Sequence, residues 1–110
     1  MFCTASTLTT VDSAGSVGQY SSVTVGADGL ALISYYDETN GDLKVAHCSN
    51  VVCTAATLTA VDSAGSVGQY SSVTIGADGL ALISYYDETN GDLKVAHCSN
   101  ILCVPYHRRR

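Results

Sequence analysis

The sequence predicts an all-β protein in which one small antiparallel sheet is built twice. Residues 1–50 and 51–100 differ at only five aligned positions, and a period of about 50 residues is typical of repeat architectures. Asp-Gly and Asn-Gly pairs, which favour tight hairpins, separate short runs of apolar and β-branched residues. No stretch has the apolar spacing and caps of a helix. Together these observations favour β-strands joined by short turns.

Each repeat predicts four strands. In the second repeat, TLTAV is rich in β-branched residues, and Asp78-Gly79 and Asn90-Gly91 mark the two hairpin turns. The segment LALISYY between these turns does not alternate strictly between apolar and polar residues, which is typical of a strand covered on both faces. The predicted strands are 57–61, 70–75, 80–86 and 93–98, and the first repeat gives 7–11, 20–25, 30–36 and 43–48.

Composition excludes several classes of protein. The net charge of −5 argues against nucleic-acid binding, which needs a basic face. The longest uncharged apolar run, 30–33, is far shorter than the roughly 20 residues of a membrane helix, so we expect no membrane partner. No basic start with an apolar core is present, so no signal peptide is predicted. A chain with 46% hydrophobic residues and one proline is also too apolar for disorder.

A single four-stranded sheet cannot bury both of its faces, but sheets stacked face to face can. When such a stack closes into a ring, the product is a β-propeller. The acidic residues support this interpretation, because they fall in the predicted turns, which a propeller places on its rims. They are Asp28, Asp37, Glu38 and Asp42, with their copies in the second repeat.

The pattern GxYSSVxIGxDGLxxISYYDxTNGDLKVAHC spans residues 18–48 and 68–98. It resembles β-propeller blade repeats that occur in tandem in bacterial proteins, and ISYYD and NGDLK are its most specific parts. The resemblance implies an inner strand at 20–25, middle strands at 30–36 and 43–48, and an outer strand at 57–61. Such repeats carry no single activity, so the resemblance implies a fold and leaves the function open.

Two blades are fewer than the roughly 4–8 of a propeller, so we expect a homo-oligomer with closed rotational symmetry. A trimer or a tetramer, giving six or eight blades, is favoured over a four-bladed dimer, and a stack that does not close would grow as a fibre. The alternative is that residues 7–11 fold onto their own chain. The predicted organisation is 1–18, an outer strand that completes a neighbour's blade, plus a linker; 19–61, the first blade; 62–68, a linker; 69–103, a second blade that receives its outer strand from a neighbour; and 104–110, a tail.

The five cysteines are candidates for disulfides. Cys48 and Cys53, like Cys98 and Cys103, would face each other across a hairpin at a separation that a disulfide can bridge. Cys3 aligns with Cys53 and Cys103, so after strand exchange it would compete with Cys103 for Cys98. An odd count leaves one cysteine over.

Two alternatives stay open for these cysteines. They could be reduced and buried as small apolar residues, since no secretion signal is visible. A zinc site is disfavoured, because His47 and Cys48 are neighbours on a strand and point to opposite faces. The compartment is therefore unknown, although cysteine pairs favour an extracellular or other oxidising one.

Repeated tyrosines are the main candidates for ligand binding, because their rings can stack on sugars, although tyrosine in a sheet is more often part of the core. His47 and His97 have no evident nucleophile to activate, and Asp37, Glu38 and Asp42 fit turn geometry better than calcium binding. No enzyme and no cofactor are expected. The tyrosines are Tyr20, Tyr35, Tyr36, Tyr70, Tyr85 and Tyr86.

The sequence thus favours a non-enzymatic repeat protein that assembles with copies of itself. The alternative is a multivalent carbohydrate-binding module, because near-identical repeats make near-identical sites.

Overall fold

Seven β-strands form two antiparallel sheets in the computed structural model, which describes residues 6–104. None of these residues is helical, so the all-β prediction is confirmed. The first sheet has the order β1 (Val17–Val25), β2 (Ala31–Asp37), β3 (Asp42–Cys48) and β4 (Ala56–Asp62). The second has the order β5 (Val67–Ile75), β6 (Ala81–Asp87) and β7 (Asp92–His97).

The predicted hairpins form where the Asp-Gly and Asn-Gly pairs lie. Gly29 and Gly41 take positive φ angles of 81° and 73°, which residues with a Cβ rarely adopt. The Asp28 carboxylate accepts the N–H of Leu30 at 3.0 Å, which fixes the loop between β1 and β2. In each pair the glycine alone takes the positive angle, whereas a two-residue type I′ turn would require it of both residues.

The long inner strands begin earlier than predicted. β5 starts at Val67 rather than at position 70, and the linker between the sheets shrinks to residues 63–66. The reason is a pair of register shifts around Gln69, where the strand bulges but continues to pair with β6. At the bulge, Tyr70 has a φ of 56°, as does Tyr20 in β1. The interruption that the glycine pattern predicts is therefore a bulge inside the strand.

The second sheet has three strands, and β7 is its edge. The repeat pattern also predicts a strand at 7–11, yet residues 6–12 are not in a strand here. A strand needs the backbone groups of a partner. By the repeat pattern the partner of residues 6–12 would be a strand with the sequence of β7, and β7 lies in the other sheet of the chain. The tail, 105–110, is outside the described residues.

The two sheets pack through β5, which lies against β1, β2 and β3 of the first sheet. Their apolar side chains form one core. It includes Leu32, Leu43 and Val45 from the first sheet and Val67, Val73 and Ile83 from the second.

Candidate functional site

The contact between the two sheets joins two different kinds of face. The first sheet contributes alternate side chains of β2 and β3, which we call the rear face. The second sheet contributes side chains of β5, which we call the front face. The rear face of the first sheet consists of Leu32, Ser34, Tyr36, Leu43 and Val45, and the front face of the second consists of Val67, Gly68, Ser71 and Val73.

At the centre of this contact, Leu43 meets the backbone of β5. Leu43 is fully buried, and a Cβ added to Gly68 would lie only 2.7 Å from the Leu43 Cα. No real Cβ approaches a backbone atom so closely, so this contact requires glycine at position 68. The close fit is the kind that buried interfaces show.

Hydrogen bonds fix the register between the sheets. The Ser34 and Ser71 hydroxyls are 2.8 Å apart in a buried position. The Tyr36 hydroxyl lies 3.0 Å from Ser66 Oγ, and the N–H of Val67 donates to the carbonyl of Gly41 at 3.0 Å. Polar groups that are buried and paired in this way favour one arrangement over its neighbours.

Both kinds of face occur a second time in the chain, and there they are open. The rear face of the second sheet carries Leu93, which is 80% exposed, and Val95, which is 58% exposed. The front face of the first sheet carries Val23, which is 64% exposed, whereas its counterpart Val73 is 7% exposed. Because the residues are the same as in the inner contact, each open face has the chemistry to complement the other.

A cavity of about 280 Å³ lies on the open front face of the first sheet, beside residues 9–12. The matching surface of the second sheet, around Gly68 and Ile83, is occupied by the first sheet's rear face, with Leu43 at its centre. The cavity therefore lies where a second rear face would insert a leucine. It is lined by Val11, Val17, Gly18, Ser21, Ile33 and Ala46, among others.

An aspartate anchors the segment before each sheet. The Tyr35 hydroxyl and Lys44 Nζ each donate to Asp12 Oδ2 at 2.7 Å. Burial acts to raise the pKa of Asp12, but the hydrogen bonds from Lys44, Ala14 and Tyr35 and the charge of Lys44 outweigh it and lower this pKa to about 2. Asp12 is therefore a carboxylate at any ordinary pH.

The second repeat contains the same arrangement. The Tyr85 hydroxyl and Lys94 Nζ donate to Asp62 Oδ2 at 2.6 and 2.7 Å. Burial again opposes the net lowering of the Asp62 pKa, which hydrogen bonds from Lys94 and Tyr85 bring about. Since Asp62 ends β4 of the first sheet, this contact ties the last strand of one sheet to the body of the next.

The structure divides the six candidate tyrosines into three kinds. Tyr35 and Tyr85 are buried and their hydroxyls are engaged by the aspartates, which assigns them to packing. Tyr36 belongs to the inner contact, and Tyr86, its counterpart, belongs to the open rear face. Tyr20 and Tyr70 are exposed, with ring centroids 4.3 Å apart. Tyr20 and Tyr70 also lie 6.2 Å from Tyr36 and Tyr86, respectively, so these four rings form one continuous group, whereas Tyr35 and Tyr85 are held apart from it by the aspartates.

Each histidine braces a hairpin. His47 Nε2 lies 2.8 Å from Asp28 Oδ2, and His97 Nε2 lies 2.6 Å from Asp78 Oδ2. The pKa of Asp28 is lowered mainly by the N–H of Leu30, with the His47 contact as a further cause. These contacts give both histidines a structural role between the third strand of each sheet and the first hairpin.

The acidic residues near Asn40 do not converge. Asp37 is buried and accepts hydrogen bonds from the backbone and side chain of Asn40 at 3.2 and 2.8 Å. Burial, with the nearby charge of Asp37, raises the pKa of Asp42. Within residues 6–104, no group of three or more His, Cys, Asp or Glu side chains is placed to hold a metal ion. No helix in the same range is long and apolar enough to cross a membrane.

Both predicted hairpin disulfides are present. Cys48 bonds to Cys53 and Cys98 bonds to Cys103, with a Cα–Cα distance of 4.8 Å in each pair. The alternative of reduced, buried cysteines is therefore wrong for these four residues. Cys3, the fifth candidate, lies outside the described residues.

Sequence reasoning missed Gly68, on which the inner contact depends, and it also missed the Asp62 anchor. A signal for the anchor exists, since Lys44 and Lys94 are the only lysine or arginine residues in the strands that the structure describes, and a lysine there needs an acidic partner. The role of Gly68 had no such signal, because a glycine pattern does not tell which backbone comes close.

Comparison with known proteins identifies no relative: no protein-family description, no curated protein and no solved structure matches this chain. The resemblance to bacterial blade repeats therefore stays an expectation from the sequence.

Proposed function

We propose that this chain is a non-enzymatic, self-assembling repeat protein whose two sheets are blades of a β-propeller that further copies complete. One observation carries the proposal. The residues that bury each other in the contact between the two sheets are exposed, in nearly identical form, on the two open faces at either end of the chain.

The physical reason is the water-exposed apolar surface of those faces. Leu93 and Val95 on one end and Val23 on the other would leave water if a second copy repeated the inner contact. Such a contact joins unlike faces head to tail, so it closes into a ring if the rotation per copy allows and otherwise continues as a filament. A ring of three or four chains would have six or eight blades, within the usual range of propellers.

Strand exchange would complete the second blade. β7 is an unpaired edge, and such an edge is a template for another strand. Residues 6–12 carry the sequence of an outer strand but have no strand partner within the part of the chain that the structure describes. A neighbour's residues 6–12 are therefore the proposed fourth strand, and each ring joint would combine face packing with strand pairing.

The mass in solution tests the proposal. Light scattering should give an integral multiple of 11.4 kDa, with three or four chains expected. Leu93→Asp should abolish association, because it places a charge in the centre of the joint. Val51→Asp is the matched control, since Val51 is 84% exposed and lies on neither face. A wild-type protein that stays at 11.4 kDa at every concentration would contradict the proposal.

A second candidate function is multivalent carbohydrate binding, which the exposed pair Tyr20 and Tyr70 favours. Non-glycine residues with positive φ are strained and often serve function, and exposed aromatic rings can stack on sugars. A glycan array would test it with the double change Tyr20→Ala and Tyr70→Ala. Loss of binding at unchanged oligomer mass would support a sugar site, and no glycan bound by the wild type would exclude this candidate.

A further inference from the structure

We propose that the contact of Asp12 with Tyr35 and Lys44 positions residues 6–12, which we call the arm, so that the arm pairs with β7 of a second copy in one defined register. This inference rests on the proposed assembly and adds to it the residue that presents the arm and the alignment of the new strand pair.

The template for this joint is β4. β4 pairs with β3 in the first sheet, and its last residue, Asp62, is held by Tyr85 and Lys94 of the second sheet. A strand of one sheet is thus anchored to the sheet that follows it.

The arm has the same anchor without the same pairing. Asp12 is held by Tyr35 and Lys44 at distances within 0.1 Å of those at Asp62. Among the described residues, 6–104, no strand pairs with residues 6–12, and Leu8 is 90% exposed, against 40% for its counterpart Leu58. The arm is therefore held at Asp12 on its own first sheet, and its remaining residues are placed to pair with the second sheet of another copy.

The edge that would pair with the arm of a second copy is β7, at the other end of the chain. β7 has the sequence DLKVAH, identical to that of β3, and the arm STLTTVD differs from β4, ATLTAVD, at two positions. Identical pairing surfaces favour an identical register. The register of β3 with β4 then assigns Leu93 to Asp12, Lys94 to Thr10, Val95 to Thr9, Ala96 to Leu8 and His97 to Thr7 of the second copy.

Asp12 acts here as a positioning residue. Ordering a free segment on binding reduces affinity, and holding one end in place beforehand lowers that cost. Both hydrogen bonds to Asp12 have an ionised carboxylate as acceptor, and hydrogen bonds to ionised groups are stronger than those between neutral groups. They hold the end of the arm on the first sheet, so less freedom remains to be lost when the arm pairs with a neighbour.

Cross-linking tests the register. In a Cys3→Ser background, Thr9→Cys is combined with Val95→Cys, and the control combines Leu8→Cys with Val95→Cys. Directly opposed residues share a face of the sheet and have Cβ atoms about 4.5–5.5 Å apart, whereas a shift of one residue points to the other face. We expect mild oxidation to give a ladder of linked chains with the first pair, and at least tenfold less of it with the control.

Asp12→Asn in the 9/95 cross-linking background tests the positioning role. We expect cross-linking at least tenfold slower at a protein concentration where association is incomplete. Asp62→Asn is the matched control, because it removes the same contact from β4, which stays paired with β3; interchain cross-linking should then continue at the original rate. Equal slowing by both changes would show a general loss of stability and overturn the positioning role.

The outcomes separate this inference from the proposed function. A monomeric mass would overturn both. An oligomeric mass with no link between positions 9 and 95, or with equal links from both pairs, would overturn the register while leaving assembly through the faces intact.

Discussion

β3 and β7 have the same sequence, DLKVAH, and opposite surroundings. Leu43 in β3 is fully buried, whereas Leu93 in β7 is 80% exposed. The difference is the neighbour: β3 has β4 at its edge and the second sheet over its face, whereas within residues 6–104 β7 has neither. A residue's contribution to stability in this repeat therefore depends on whether another sheet follows.

β1 and β5 give the opposite result. Their sequences differ only at Val25 and Ile75, but here the second copy is the buried one, as Val23 and Val73 show. The two comparisons together indicate that each sheet has one satisfied face and one unsatisfied face. Matched substitutions at equivalent positions of the two repeats therefore measure the effect of burial alone.

The largest effect is expected from Leu43→Ala against Leu93→Ala. Removing a buried leucine side chain lowers the free energy of unfolding by about 2–5 kcal/mol, whereas an exposed one changes it by about 0.5 kcal/mol or less. Urea unfolding followed by circular dichroism, at a dilution where the mass is that of one chain, measures both. At concentrations that support assembly, Leu93→Ala should become destabilising too. Equal losses at high dilution would contradict the difference between the two strands.

The next effect concerns Gly68→Ala against Gly18→Ala. Gly18 and Gly68 have φ angles of 102° and 110°, so both variants carry backbone strain of about 1–3 kcal/mol. Only the Cβ at position 68 meets Leu43; nothing lies within 4 Å of the one at position 18. We expect overpacking to lower the free energy of unfolding of Gly68→Ala by about a further 1–3 kcal/mol.

Gly18→Ala also tests whether the open front face of the first sheet takes part in the proposed assembly. The chain should fold at high dilution but fail to associate, because the new methyl group would meet Leu93 of the next copy. Light scattering on this variant, with Gly29→Ala as a control for strain away from both faces, distinguishes the two effects. Normal association of the Gly18 variant would show that the open front face is not used.

A smaller effect is expected from Tyr36→Phe against Tyr86→Phe. The first change removes the hydrogen bond to Ser66 in the contact between the sheets, which we expect to cost about 0.5–1.5 kcal/mol. The second removes a hydroxyl from a half-exposed ring on the open rear face and should cost almost nothing in a single chain. Thermal unfolding of the two variants side by side measures the difference.

The smallest effect concerns pH, and it should be shared by both repeats. The pKa of Asp12 is about 2 in the folded chain, against about 3.9 in an unfolded one. A lowered pKa stabilises the folded state above the unfolded value, and this contribution is lost as the pH falls through about 2. For such an ion pair we expect about 1 kcal/mol or less.

Asp12→Asn and Asp62→Asn check this pH dependence. The gap in unfolding free energy between wild type and Asp12→Asn should be constant above pH 5 and should close between pH 4 and 2. The gap for Asp62→Asn should also narrow below the pKa of an unfolded aspartate, because the Asp62 pKa is lowered as well. A gap that widens on acidification would contradict the ionised state of these carboxylates.

Much of the fold follows from short-range signals. The positions of the β2–β3 and β6–β7 hairpins follow from Asn40-Gly41 and Asn90-Gly91, because few other residues accept a positive φ. The disulfide pairs follow from a spacing that a hairpin can bridge. The start of β5 at Val67 does not follow from short-range signals, because glycine and serine indicate a linker unless a neighbouring strand holds them in a bulge.

The candidate site was less predictable. Tyr35 and Tyr85 look like ligand-binding residues in the sequence, but their hydroxyls donate to Asp12 and Asp62, which are 23 residues away in the chain. Gly68 cannot be singled out among ten glycines until the backbone that it meets is known.

The sequence by itself determined the repeat, seven of the eight predicted strands and the turns, and it favoured the hairpin disulfides, because each depends on residues within one hairpin or on a fixed period. Only the tertiary structure decided which copy of each face is buried, since identical sequences cannot differ in surroundings until a neighbour is placed. Packing β5 on β3 buries Leu43 and leaves Leu93 in water. That asymmetry arises from the position of each repeat in the chain and not from its residues.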